Sequence, residues 1–129
     1  MARLKIVKRV SEDSFQVNEV VPAFINAMLT FHCIKNEQTN GTVQEGAKNW
    51  KRGCRAGISD FIVIDLKNGC IDYVELKKYN VMSDGSYVNK GVQSDAQKEF
   101  QLKVEFAGSK YYLISNPDEL KDYIKKKRA

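Results

Sequence analysis

Residues 60–77 read DFIVIDLKNGCIDYVELK. Two runs rich in β-branched and aromatic residues flank the segment Lys67-Asn68-Gly69-Cys70. An Asn-Gly pair between two such runs is the strongest short hairpin signal that a sequence can carry. With Asn68 and Gly69 as the two central turn residues, the segment predicts two antiparallel strands joined by a tight turn.

The predicted register brings three charged residues together at the open end of this hairpin. It sets Asp60 opposite Lys77 and diagonal to Glu75, on one face, because side chains alternate between the two faces of a strand. Two carboxylates about 7–8 Å apart can reach one cation, and Mg²⁺ takes oxygen ligands. A neighbouring lysine can orient water or offset charge on phosphoryl oxygens. The three residues are a candidate nuclease core; the alternative is that the charges only stabilise strand pairing.

Before the hairpin, the sequence predicts three elements. They are a strand or arm over 4–10, a helix within 14–31, and a short strand over 32–34. Apolar residues from 14 to 31 follow the helical period. Pro22 indicates either a kink or a helix that starts near Val20. Residues 36–59 are polar and predict a long loop with one helical turn around 47–50.

The residues after the hairpin predict a polar loop over 79–93, two helices and a strand. Ser94 and Gln97 have capping-box spacing and open a helix that Gly108 ends. A strand over 111–114 follows, and Asn116-Pro117 then starts the last helix. The chain is expected to be one α/β domain over residues 1–129, with a central mixed sheet flanked by helices.

Composition favours a small basic protein with a polyanionic partner. The 129 residues carry a net charge of +5, one histidine and three cysteines without C-x-x-C spacing. The expected location is cytoplasmic, since no apolar run approaches the ~18 residues of a membrane span. Four cations surround Trp50 in the predicted loop, where they either contact phosphates or are simply solvated: Lys48, Lys51, Arg52 and Arg55.

Four segments, taken in order, resemble the VRR-NUC family, the virus-type replication-repair nucleases of the PD-(D/E)xK superfamily. The family pattern is a glycine-punctuated approach to Pro-Asp, a Glu-x-Lys, a Ser-x-x-Gln helix start, and a glycine followed by a hydrophobic strand. The matching segments are 53–61, 75–77, 91–100 and 107–112, and the resemblance as a whole covers about residues 19 to 124. One departure is Ser59, which stands where the family has proline.

The resemblance implies a restriction-endonuclease-like mixed sheet and a role for each matched residue. Asp60 and Glu75 would bind metal, Lys77 would be the catalytic lysine, and Gln97 would lie beside them. The superfamily also places an acid on the first helix, for which Glu19 is the candidate, while Glu37 after the following strand is its rival.

These implications lead to a functional expectation. The protein would be a DNA endonuclease dependent on Mg²⁺ or Mn²⁺, selective for branched or junction DNA, from a bacterium or phage. DNA would be its partner, no membrane would be involved, and a homodimer would present two sites to two strands. The alternative is a nucleic-acid-binding module that keeps the fold and does not cut.

Overall fold

The computed structural model describes residues 3–34, 47–48, 51 and 57–128. Along these residues, helical segments lie near both ends of the chain, and five strands lie between them. In chain order the elements are β1 (Ile6–Val10), α1 (Glu12–Phe15), a π-helical segment (Gln16–Val20), α2 (Val21–Asn26), β2 (Thr30–Cys33), β3 (Phe61–Ile64), β4 (Ile71–Leu76), β5 (Tyr79–Met82), β6 (Tyr87–Asn89), α3 (Asp95–Phe106), β7 (Lys110–Ile114) and α4 (Pro117–Arg128).

The strands form two sheets with helices packed beside them. The larger sheet has the order β2-β3-β4-β7, antiparallel except for the parallel pair β4 and β7. The smaller sheet has the order β1-β5-β6 and is antiparallel throughout. The predicted α/β class and the mixed sheet are therefore confirmed, and the second sheet was not predicted.

An aromatic cluster ties the first helical segment and the last helix to the larger sheet. The Phe24 ring is fully buried and lies 5.2 Å from Phe31, 5.6 Å from Phe61 and 5.9 Å from Tyr123, measured between centroids. Burying one such ring contributes roughly 1.5–3 kcal/mol. This cluster fills one face of the larger sheet and leaves the other face to α3.

The first helical segment differs from the predicted helix over 14–31. It begins at Glu12, where the Ser11 hydroxyl accepts from the Ser14 amide at 3.1 Å, and it ends at Asn26. Proline has no amide hydrogen and disfavours an uninterrupted α-helix. The turn before Pro22 is π-helical, a common local adjustment within helices.

The hairpin forms, but the predicted two-residue turn is wrong. Ile64 pairs with Ile71, and the Asp65 amide donates to the Cys70 carbonyl at 2.9 Å, which leaves a four-residue loop. The Asp65 carboxylate accepts from the Lys67 amide, the Asn68 side chain accepts from the Cys70 amide, and Gly69 has φ +72°. These side-chain bonds favour the longer turn. The true register differs by two residues, so every side chain keeps its predicted face.

Residues 79–93 were predicted to be loop, and this prediction is wrong. They contain β5 and β6, joined by a turn in which the Asp84 carboxylate accepts from the Ser86 amide at 2.9 Å. Tyr79, Asn80 and Val81 alternate, but Met82 and the pair Tyr87-Val88 break the period of two. Asp84-Gly85 is a hairpin signal that was present in the sequence.

The remaining predictions are confirmed within one or two residues. The Ser94 and Gln97 capping box starts α3, and β7 follows. The Asn116 side chain accepts from the Glu119 amide at 3.0 Å at the start of α4. Most of the predicted 36–59 loop lies outside the described residues, although the described residues 47, 48 and 51 have helical backbone. No helix within the described ranges is long and apolar enough to cross a membrane.

Candidate functional site

The two faces of β4 have different partners. Asp72 points toward α4, where its carboxylate accepts from the Tyr123 hydroxyl at 2.8 Å and from Lys127 at 2.5 Å. Tyr73, next along the strand, packs against Phe100 of α3 with ring centroids 5.3 Å apart. Glu75 shares the face of Tyr73 because strand side chains alternate. The candidate site therefore lies on the α3 side of the sheet.

Glu75 is a buried acid at the centre of this site. Its side chain is 1% exposed, and its Oε1 accepts from the Tyr111 hydroxyl at 2.5 Å. Its Oε2 is buried without a hydrogen-bond partner, and Lys77 Nζ lies 3.6 Å away, beyond hydrogen-bond distance. Burying an acid with an unsatisfied oxygen is costly, so this oxygen marks a place where a ligand would be stabilising.

Lys77 is held by contacts from two helices. Its Nζ donates to Gln97 Oε1 at 2.9 Å and lies 3.7 Å from Glu12 Oε1. The stem passes against Gly91, where an added Cβ would lie 2.7 Å from Lys77 Cβ and 2.8 Å from its Cδ. Real Cβ atoms almost never approach so closely. The site thus requires glycine at position 91 for space, and the ammonium group is oriented before any substrate arrives.

Asp60 directly precedes β3 and lies opposite Glu75. Phe61 pairs with Val74, and continuing that register by one residue sets Asp60 against Glu75. The sequence had placed Asp60 against Lys77, which is wrong because of the longer turn. The half-buried Asp60 carboxylate accepts from the Leu76 amide at 2.7 Å, and this bond fixes it across the strand from the other two charges.

Ser59 and Gln97 each have a structural role as well. Ser59 is buried, and its hydroxyl donates to the Phe61 carbonyl at 3.1 Å, so serine stabilises the entry to β3 without a proline. Gln97 Oε1 accepts from the Ser94 amide at 2.8 Å as well as from Lys77. One glutamine therefore both caps α3 and positions the lysine. Its spacing from Ser94 had indicated the first role, and the family resemblance had implied a place beside the site.

Glu19, the predicted helix acid, lies on the π-helical segment and accepts a short hydrogen bond from the Tyr79 hydroxyl. Burial raises the pKa of Tyr79, and Glu19 adds to that rise. From the same stretch of helix, Glu12 is the acid that contacts Lys77. The sequence missed Glu12, although Ser11 followed by two acids is a helix-start signal. The rival Glu37 lies outside the described residues.

The predicted phosphate-binding loop is described only in part. Lys48 and Lys51 are exposed on helical backbone, and Arg52 and Arg55 lie outside the described residues.

Tyr111 is a further residue of the site that was not predicted from the sequence. Burial raises its pKa, and its bond to Glu75 adds to the rise, so its hydroxyl keeps its proton and donates.

The donor set fits a hard divalent cation. Asp60 and Glu75 provide carboxylate oxygens, and one Glu75 oxygen is buried without a partner. Within the described part of the chain, no group of three or more His, Cys, Asp or Glu side chains is arranged to hold a metal. Two carboxylates still suit Mg²⁺, which keeps several waters and binds substrate phosphate as well.

Comparison of the chain with protein-family models, curated proteins and solved structures finds no significant match.

The charge of Glu75 should make stability depend on pH. Burial raises the pKa of Glu75 above its ordinary value of 4.5; the Tyr111 hydroxyl and Lys77 oppose this rise and Asp60 adds to it. Between the unfolded and folded pKa values the native state holds the extra proton, so stability falls as pH rises through that window. With a chelator present, the Glu75→Gln variant should lack this loss of stability. The melting temperature of the variant minus that of wild type should therefore increase with pH.

Melting curves from about pH 4 to about pH 8 check this linkage. Glu99→Gln is the control, because Glu99 is exposed in an ion pair with Lys103 on the surface of α3. Its melting temperature should follow that of wild type. Parallel curves for Glu75→Gln and wild type would contradict the assignment.

Proposed function

We propose that this protein is a metal-dependent DNA nuclease built on a restriction-endonuclease-like sheet. The observation that carries the proposal is the buried Glu75 carboxylate, with one oxygen unsatisfied, between Asp60 and the ammonium group of Lys77. A fold has no need of such an arrangement, since an apolar residue at this position would avoid the desolvation cost. Three charges kept at one sheet edge are therefore best explained by chemistry.

Each residue has a role in phosphodiester hydrolysis. Asp60 and Glu75 would hold Mg²⁺ or Mn²⁺, which supplies Lewis acidity that polarises the phosphodiester and activates water. Lys77 orients the attacking water and offsets charge on the phosphoryl oxygens. Gln97 positions Lys77 through its amide oxygen, and Tyr111 fixes one Glu75 oxygen by hydrogen bonding. In the reaction, the water oxygen bonds to phosphorus and releases a proton to solvent, while the bond to the leaving oxygen breaks and that oxygen takes a proton from solvent.

DNA is the proposed substrate because the protein is basic overall, with net charge +5, and phosphate contacts dominate affinity for nucleic acid. Branched or junction DNA in bacterial or phage replication, recombination or repair is the proposed context, and two copies of the chain would act on two strands. These finer proposals depend on the family resemblance. The site geometry supports the reaction class.

The test is cleavage of labelled linear, flapped and four-way-junction DNA by wild-type protein. We expect cutting with Mg²⁺ or Mn²⁺ and none with a chelator, and the ranking of substrates would identify the preferred DNA structure. A thermal shift on adding Mn²⁺ should accompany activity and should be lost in Asp60→Asn. Lys103→Gln, which changes an exposed lysine of α3, is the control and should keep both properties.

One outcome would replace this proposal with the alternative. If wild-type protein binds every DNA but cuts none with either metal, and Mn²⁺ causes no thermal shift, the protein is a nucleic-acid-binding module that keeps the fold.

A further inference from the structure

The smaller sheet has one face on the core and one face with three cations. Val10 and Tyr79 belong to the core, where the Tyr79 ring lies 5.1 Å from Phe15. Arg9 pairs with Asn80, so the two lie on the opposite face, since side chains alternate. Lys78 and Lys90 share that face by the same alternation. These residues line one cleft, together with Ser11, and we name it the basic cleft.

Two of the cations face each other across neighbouring strands. Tyr79 pairs with Asn89, and the Lys90 amide donates to the Lys78 carbonyl at 3.1 Å, so Lys78 and Lys90 are directly opposed. Directly opposed side chains have Cβ atoms about 5 Å apart, and like charges there are destabilising. Arg9, Lys78 and Lys90 form no ion pair with any residue in the described ranges. An anion between them would relieve the repulsion.

Residues of the basic cleft are adjacent in sequence to residues of the candidate site. Lys78 follows Lys77, and Ser11 precedes Glu12, the acid 3.7 Å from Lys77 Nζ. Lys90 precedes Gly91, the residue against which the Lys77 stem packs. At one end of each strand of the smaller sheet, a residue of the cleft is therefore the sequence neighbour of a residue of the site.

We propose that the basic cleft binds the phosphate backbone of DNA next to the phosphate in the candidate site. This inference rests on the proposed function for its choice of DNA as the polyanion. Arg9, Lys78 and Lys90 each contact a phosphate, and the Asn80 amide on the cleft floor can donate to the same backbone. The three cations of the cleft are different residues from the four predicted to contact phosphate in the 48–55 region.

Binding of labelled duplex and junction DNA, measured by fluorescence anisotropy with a chelator, tests the cleft without any cutting. The variant combines Arg9→Gln, Lys78→Gln and Lys90→Gln. We expect its affinity to fall more than about tenfold, and the slope of log affinity against log salt to shrink by roughly 0.9 for each lost contact with duplex DNA. Its melting temperature should not fall, because the opposed lysines are gone.

A matched control removes the same charge elsewhere. Lys67→Gln, Lys110→Gln and Lys121→Gln change three exposed lysines outside the cleft and the site, and they should leave the salt slope unchanged. Equal losses in both triple variants would overturn the cleft, and so would an unchanged salt slope in the cleft variant. A third outcome would also overturn the proposal: wild-type protein binds phosphatidylserine vesicles, and the cleft variant binds DNA as tightly as wild type does. The cleft would then be assigned to a membrane surface.

The two proposals fail separately. If the cleft variant loses DNA binding and wild-type protein cuts no DNA with either metal, the proposed role of the cleft is supported and the proposed nuclease activity is refuted. Metal-dependent cleavage with unchanged affinity in the cleft variant would refute the cleft alone.

Discussion

Lys77→Met should reduce DNA cleavage by about 10²- to 10⁴-fold, the range for loss of a positioned acid–base or charge-stabilising group. Methionine keeps much of the buried stem and removes the ammonium group, which lies 3.6 Å from Glu75 Oε2 and 2.9 Å from Gln97 Oε1. Single-turnover rates on the DNA that wild type cuts best would measure the loss. DNA binding should change little, because the lysine is only 6% exposed.

Lys127→Met is the matched control for this substitution. Lys127 is also largely buried and also pairs with an acid of β4, Asp72, but on the α4 side of the sheet. Breaking that pair should lower the melting temperature because it leaves a buried carboxylate with only the Tyr123 hydroxyl. Its cleavage rate, measured below its melting temperature, should stay near that of wild type. If both variants cut equally well, Lys77 is not catalytic.

Much of the candidate site could be predicted from the hairpin because strand side chains have period two. The turn is longer than expected, yet the resulting shift of two residues keeps Asp60, Glu75 and Lys77 on one face. Only their pairing changed, with Asp60 now opposite Glu75. A shift of one residue would have moved one strand's charges to the other face.

Contacts that depend on distant elements could not be read from local patterns. Tyr111 reaches Glu75 because β7 lies parallel to β4, with Tyr111 paired to Tyr73, and no sequence period encodes that register. Lys77 contacts Glu12 although the two residues are far apart in the sequence. Non-local contacts of this kind require the assembled fold.

Other omissions came from signals that the sequence does carry. The smaller sheet was missed because its strands are short and do not keep a clear period of two, although Asp84-Gly85 lies between β5 and β6 as a turn signal. Pro22 was expected to kink the first helix or to indicate a start near Val20, and α2 does begin at Val21 with Pro22 in its first turn. Helical backbone also extends before it, through the π-helical segment to Glu12, the acid that contacts Lys77.

Gly91→Ala should reduce cleavage by roughly 10²-fold, the cost of misplacing a catalytic group by about 1 Å. The new Cβ would lie 2.7 Å from Lys77 Cβ, so the stem must move and its ammonium group must leave Gln97. Gly91 does not have a positive φ, so alanine fits the backbone dihedral angles, but the clash is with a Cβ attached to the main chain and the melting temperature should fall as well. Gly85→Ala is the converse control: Gly85 has φ +84° with nothing within 4 Å of the added Cβ, so strain should lower stability and leave the cleavage rate unchanged. Normal cleavage in Gly91→Ala would mean that the orientation of Lys77 does not limit the reaction, and the role assigned to its contact with Gln97 would then be wrong.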